Sequence, residues 1–163
     1  MLRIIEGDFS DRRVIELLET HVMLAHGASP PGTAYALDLE GLKAPGIGFW
    51  TVWHSDRQRG NGKDAEEELA GCGALKRLSP THGEIKSMHT VAHLRGLGIA
   101  STMLGHIVEK AKASGMTRLS LETGTQHYFA SARALYARHG FTPCEPFGDY
   151  KAGPHNTFMS REI

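Results

Sequence analysis

The chain holds little cysteine, only Cys72 and Cys144 in 163 residues. Two thiols cannot build the framework of a disulfide-stapled secreted domain, and they suit a reducing compartment. There is no excess of charge of either sign. Lys plus Arg and Asp plus Glu each number 18, so the basic footprint of a nucleic-acid binder is missing and no polyionic partner is favoured. Long hydrophobic runs are absent too. The longest mostly apolar stretch, residues 44–53, is far shorter than a bilayer-spanning helix needs. The opening MLRIIEGDF is broken by charges and leads to no small-residue cleavage site, unlike a secretory signal. No repeat and no low-complexity tract occurs. The nearest approach, RQRGNGKDAEEE over residues 57–68, reads as an exposed polar loop. These absences point to a cytoplasmic protein with no nucleic-acid or membrane partner, of a length that suits one domain over residues 1–163.

What is present is an alternation of elements. Residues 3–9 predict a strand. Ser10 or Asp11 can cap a helix reaching about His26, with Val14, Leu17, Leu18, Val22 and Leu24 near one face. Residues 37–43 suggest a short second helix. Residues 46–54 and 69–78 are strand-like and placed to pair as a hairpin, and residues 84–90 add a third strand to that sheet. Ile99, Met103, Leu104, Ile107, Val108 and Ala111 recur at helical spacing up to Gly115. TRLSLET, residues 117–123, alternates like a strand. Residues 130–139 form a helix stopped by Gly140, and residues 141–147 and 157–162 are closing strands. This order predicts a mixed α/β sheet with helices on both faces.

The stretch LRGLGIASTMLGHI, residues 94–107, is a glycine-rich turn opening a helix, a common way to hold phosphate. A nucleoside-triphosphate loop would end in Gly-Lys-Ser/Thr, which is missing. A dinucleotide fingerprint would follow a strand directly and carry Gly or Ala at its third position; here VAHLR intervenes and Ser101 stands there. A third design needs only backbone N–H groups at a helix N-terminus, with glycines allowing close approach. Arg95-Gly96-Leu97-Gly98-Ile99-Ala100 has that form.

This segment resembles the Arg/Gln-x-x-Gly-x-Gly/Ala motif of the GNAT superfamily of acetyl-CoA-dependent N-acetyltransferases. The preceding strand, GEIKSMHTV, stands where the family's fourth strand stands. ARALYARHGF, residues 132–141, is similar to the family's later A-x-x-L-Y-x-x-x-G-F helix and turn. The element order matches over nearly the whole chain. PFGDY and SPPGTAYALD are similar to a small bacterial subgroup.

The resemblance implies a mostly antiparallel central sheet of about six to seven strands, splayed between strands four and five. It implies acetyl-CoA as co-substrate, a primary amine of a small molecule or peptide as acceptor, direct attack in a ternary complex and a common tendency to form homodimers. Backbone N–H groups from Arg95, Gly96, Leu97, Gly98, Ile99, Ala100 and Ser101 would cradle the pyrophosphate. Met88, His89 and Thr90 would pair with the pantetheine arm as an added strand does. The amide near Met88 would polarise the acetyl carbonyl. Tyr136 would protonate the departing thiolate; the alternative is a core tyrosine with its hydroxyl bonded at the rim. The family's asparagine before that tyrosine is replaced here by Phe129, Ala130 and Ser131, and Tyr128 with Phe129 would narrow the pocket.

The acceptor must lose a proton, and three residues offer to take it. Glu84 leads. It is four residues before Met88 and, on regular alternation, faces the same side; its other reading is a simple pair with Lys86. Glu122, at the end of the fifth strand, and His89 are the alternatives. Tyr150, Asp149 and His26 are candidates for the acceptor pocket. His89 and His93 have the spacing of a helical metal pair, but they span a strand end and a loop, so no metal is expected. Cys72 in GCGAL reads as a buried strand residue, not a nucleophile. A non-catalytic acyl-CoA-binding domain on the same fold is the competing function.

Overall fold

The computed structural model describes residues 1–56 and 66–163. Most of the expected polar loop, residues 57–65, lies outside them. A seven-stranded sheet runs in the order β1-β2-β3-β4-β5-β7-β6. Its strands are β1 (Leu2–Glu6), β2 (Ile47–Ser55), β3 (Glu67–Arg77), β4 (His82–Thr90), β5 (Arg118–Gly124), β6 (Thr142–Pro143) and β7 (Asn156–Glu162). All neighbours are antiparallel except β4 and β5.

Helices cover both faces. Helix α1 (Arg12–Gly27) begins where the Asp11 side chain accepts from the Arg13 N–H, satisfying one of the orphan donors of a first turn. Its buried Val14, Leu17 and Leu18 pack with Phe49, Trp53 and Cys72, and the short α2 (Leu39–Leu42) adds Leu42 to that layer. On the other face, α3 (Ile99–Ala113) buries the helical stripe from Ile99 to Ala111 against Val52, Leu75, Ile85, Leu119 and Leu121. Helix α4 (Ala130–Arg138) contributes Leu135 and Tyr136 to the same cluster.

Two expected strands are shorter than their sequence suggests. The first stops at Glu6, because Asp8 turns the chain by accepting from the Ser10 N–H and hydroxyl. The strand expected over residues 141–147 shrinks to Thr142–Pro143. Pro143 and Pro146 carry no N–H for a ladder.

Two irregularities in the sheet create the site. The parallel β4–β5 pairing covers only His82↔Arg118, Gly83↔Leu119 and Glu84↔Ser120. Beyond it the strands diverge, opening the splay expected between strands four and five. The second irregularity is a bulge on β4. Ala74 faces Lys86 and Cys72 faces His89, so three steps along β4 match two along β3. Ser87 carries the distortion at φ 54°, and neither it nor Met88 has a register partner on β3.

The bulge corrects one expectation. A strand alternates faces only while its register is unbroken. Lys86 and Glu84 lie on the α1 side, opposite Ala74 and Lys76. Met88 lies on the α3 side, where a Cβ at Gly73 would meet its Sδ at 2.9 Å and Met103 Cγ at 2.7 Å. Glu84 and Met88 therefore face opposite sides.

Candidate active site

A groove of about 470 Å³ runs between the end of β4, the start of α3 and α4. Its walls include Met88, His89, Thr90, Arg95, Gly96, Gly98, Ile99, Ala100 and Ser101. Leu97 is the one expected loop residue outside that lining, and its side chain is exposed. Gly96 at φ 85° and Gly98 at φ 77° are both left-handed, and Gly98 is the N-cap of α3. Consecutive turns of this kind point backbone N–H groups into one concavity, and the helix dipole adds positive potential there. Arg95 and Arg138 flank it. Arg138 escaped sequence reasoning, since nothing in A-R-H-G marks it as facing the groove. The donor set suits a pyrophosphate: N–H groups and two guanidiniums, with no Asp or Glu among the described residues of the lining.

A second cavity, about 120 Å³, lies in the splay. Lys86, Ser87, Glu122 and Thr123 come from the diverging strands; Ser29, Thr33 and Tyr35 come from the segment after α1. Met88, Tyr136, Phe129 and His21 line both spaces, so groove and cavity meet there. Ser131 and Tyr128 line the groove.

The titratable groups at this junction differ sharply. Burial pushes the Glu122 carboxyl up to about 7; Glu84 adds to the rise and Lys86 opposes it. Tyr136 is 6% exposed, and burial followed by the nearby Glu122 raises its phenol well above the ordinary range. No described residue hydrogen-bonds its hydroxyl, while its ring stands edge-on to Phe141 at 5.8 Å. His21 and His89 meet through their Nδ1 atoms at 3.2 Å. Burial, with His89 beside it, takes His21 down to about 4; burial and Arg95 take His89 to about 4 as well. Both rings are neutral near pH 7. His21 was not singled out in the sequence, because α1 reads there as a plain amphipathic helix.

Glu84 occupies a different place. It is 2% exposed and lines neither space. Its Oε1 accepts from the Tyr150 hydroxyl at 2.5 Å and from Lys86 Nζ at 3.1 Å. Lys86 Nζ also donates to Tyr150 Oη at 2.8 Å and to the Tyr35 carbonyl at 3.4 Å. The result is a closed Glu84–Lys86–Tyr150 cluster, of which only Lys86 lines the cavity. Tyr150 belongs to that cluster, and neither Asp149 nor His26 lines the cavity. His93 pairs with Glu68 at 2.5 Å, away from His89. Cys72 donates to the Ser87 carbonyl at 3.2 Å, and burial pushes its thiol up to about 12.

Replacing Glu84 tests this placement. Glu84→Gln weakens two charge-assisted bonds inside the core, an effect of about 2 kcal/mol. The expected result in thermal unfolding is a Tm lower by about 4–8 °C, with the acid limb of the activity profile kept but moved to lower pH, because the Glu84 charge no longer helps to hold the Glu122 carboxyl up.

Comparisons with known proteins bear on the family and the fold. The profile of the Acetyltransferase (GNAT) family matches residues 26–141. The uncharacterized N-acetyltransferase YsnE of Bacillus subtilis is 46% identical over 96% of this chain and 96% of its own. The uncharacterized N-acetyltransferase YedL of Escherichia coli is 41% identical over 98% of this chain and 94% of its own. A Bacillus subtilis acetyltransferase solved in complex with CoA has the same fold. It superposes with a TM-score of 0.67 at 19% identity, covering 100% of this chain and 99% of that one. No helix among the described residues is long and apolar enough to cross a membrane. The chain belongs to the GNAT family of acetyltransferases, enzymes that draw their acetyl group from acetyl-CoA.

Proposed function

We propose that this enzyme acetylates a primary amine of a small molecule or peptide end by direct attack in a ternary complex, with Glu122 as general base. The observation that carries the reading is the junction at Met88 and Tyr136, where the large groove opens into the small cavity that Glu122 lines. Donor and acceptor can then meet without a covalent enzyme intermediate. Cys72 supports this by being buried and held far from its reactive form.

Magnitudes choose between the three candidate bases. A base works best when its pKa lies near the working pH. Glu122 at about 7 meets that requirement and lines the cavity. His89, at about 4, is a far weaker base, and its Nδ1 is engaged by His21. Glu84 does not line the cavity, and its Oε1 is already engaged by Lys86 and Tyr150. On this reading Glu122 takes the proton that the incoming ammonium loses. The free amine attacks, the C–N bond forms and the C–S bond breaks. The proton shed at nitrogen passes to the leaving thiolate.

The bulge supplies the next part. Met88 lies in the bulge, without a register partner on β3, and on this reading its N–H polarises the acetyl carbonyl. Tyr136 acts on the sulfur. A phenol raised by burial holds its proton too firmly to yield it outright to a thiolate, whose own pKa is about 8.5. It donates a hydrogen bond to the developing charge instead.

The phosphate loop gives the first test. Calorimetric titration with acetyl-CoA is expected to show one site on the wild type, with thiol release only when an amine is added. Gly98→Val forces a β-branched residue to φ 77°, which costs about 1–2 kcal/mol. The acetyl-CoA Kd then rises about tenfold. Unaltered affinity in Gly98→Val would move the pyrophosphate away from this loop.

A further inference from the structure

The chemistry of the small cavity also limits the acceptor, an inference that rests on the reading of that cavity as the acceptor site. Among the described residues lining it, Lys86 is the only Lys or Arg. That ammonium looks at first like a receptor for a substrate carboxylate, as an amino acid would require. Its hydrogen bonds are already committed. An ammonium has three N–H donors, and Lys86 directs them to Glu84 Oε1, Tyr150 Oη and the Tyr35 carbonyl. Its charge is balanced by a carboxylate 3.1 Å away, with both side chains almost fully buried.

The rest of the wall is neutral or acidic. His21 is uncharged near pH 7, and Glu122 adds a second carboxylate as it ionises. Counted over Glu84, Lys86 and Glu122, the site is neutral with Glu122 protonated and carries one net negative charge with it ionised. Such a site attracts an ammonium and repels a carboxylate, and a carboxylate brought here would be desolvated without a free cation to meet it.

Neutral hydrogen-bonding capacity, in contrast, is left over. Ser87 is 7% exposed and lines the cavity, and its Oγ has no hydrogen-bond partner. A buried hydroxyl without a partner is uncommon and calls for a physical reason. It is also the residue at φ 54° in the β4 bulge, where backbone strain is retained at the mouth of the splay. Ser29 also lines the cavity.

We infer that the acceptor is a small primary amine that carries a neutral hydrogen-bonding group, an amide or a hydroxyl, and no carboxylate, with the neutral group meeting Ser87. Amino amides, amino alcohols and amine-bearing chain ends fit this description; free amino acids do not.

Matched pairs test it. Thiol release at saturating acetyl-CoA is measured for L-serinamide against L-serine, L-alaninamide against L-alanine, and 3-aminopropanamide against β-alanine. Rates are expressed per unprotonated amine, because amidation lowers the pKa of a neighbouring amine. The expected result is a kcat/KM at least about tenfold higher for the amide in every pair, the equivalent of one unpaired polar group. Ser87→Ala should cut the advantage of 3-aminopropanamide over n-butylamine about fivefold, as the loss of one hydrogen bond requires. A carboxylate-bearing member acetylated as well as its amide overturns the inference and makes Lys86 a carboxylate receptor. Failure to acetylate any amide overturns it as well. If amino acids win while Glu122→Gln and Tyr136→Phe remain impaired, the acceptor class falls and the proposed chemistry stands. If amides win while both variants are fully active, the chemistry falls and the acceptor class stands.

Discussion

Glu122→Gln is expected to lower kcat/KM about 10²–10³-fold, the range lost when a positioned general base is removed. The sign of the pH effect follows from the direction of the shift. Burial holds the Glu122 carboxyl up, at about 7, and the carboxylate is the form that accepts a proton. The wild-type rate therefore climbs as pH rises through about 7 and fades below it. In Glu122→Gln that limb disappears, and the remaining pH dependence follows the free-amine fraction of the acceptor. Glutamine keeps the size of the side chain, and Glu122 lies outside the groove lining, so acetyl-CoA affinity is expected to stay at the wild-type level. The measurement is kcat/KM by thiol release across the acidic and neutral range, with calorimetry on the same protein. A limb near 7 that persists in the variant would hand the role of base to another group, whereas a limb near 4 would point to His89.

On the proposed reading the chemistry depends on the phosphate loop and on two irregularities of the sheet, the short β4–β5 pairing and the β4 bulge, and these are unequally visible in the sequence. Gly96 and Gly98 were legible because a left-handed backbone at a helix start leaves a chemical mark, the absence of a side chain. The A-x-x-L-Y-x-x-x-G-F pattern was legible for the same reason: Gly140 ends α4 at φ 83°, and the apolar Leu135, Tyr136 and Phe141 are buried together. The bulge left no such mark. Ser87 is not glycine, and nothing in EIKSMHT interrupts an alternating strand. A period-two reading consequently put Glu84 beside Met88, when one extra residue had turned the strand over.

Glu122 was visible as a strand-end acid, but its rank was not. The raised pKa comes from burial and from the balance between Glu84 and Lys86, and all three are brought together by pairing between β4 and β5, far apart in the chain. The same limit applies to His21. Its partner His89 is 68 residues away, and helical periodicity says nothing about which residue a polar position will meet. The closing segment failed on local chemistry alone, since Pro143 and Pro146 cap the length of any ladder there.

Tyr136→Phe gives the second large effect, a fall in kcat of about 10²-fold, the scale of one lost donor to transition-state charge. Phenylalanine preserves the ring and its edge-on contact with Phe141, and no described residue bonds the hydroxyl, so thermal unfolding should shift little. Acetyl-CoA affinity should hold, because the hydroxyl acts only while charge gathers on sulfur. The pH profile adds a check. Burial and Glu122 keep the phenol protonated beyond its usual range, so the wild-type rate should not decline as pH passes about 10, where an ordinary tyrosine ionises. Full kcat in Tyr136→Phe would return Tyr136 to the role of a core residue beside Phe141. The departing thiolate would then be stabilised by water or by backbone N–H groups at the mouth of the groove.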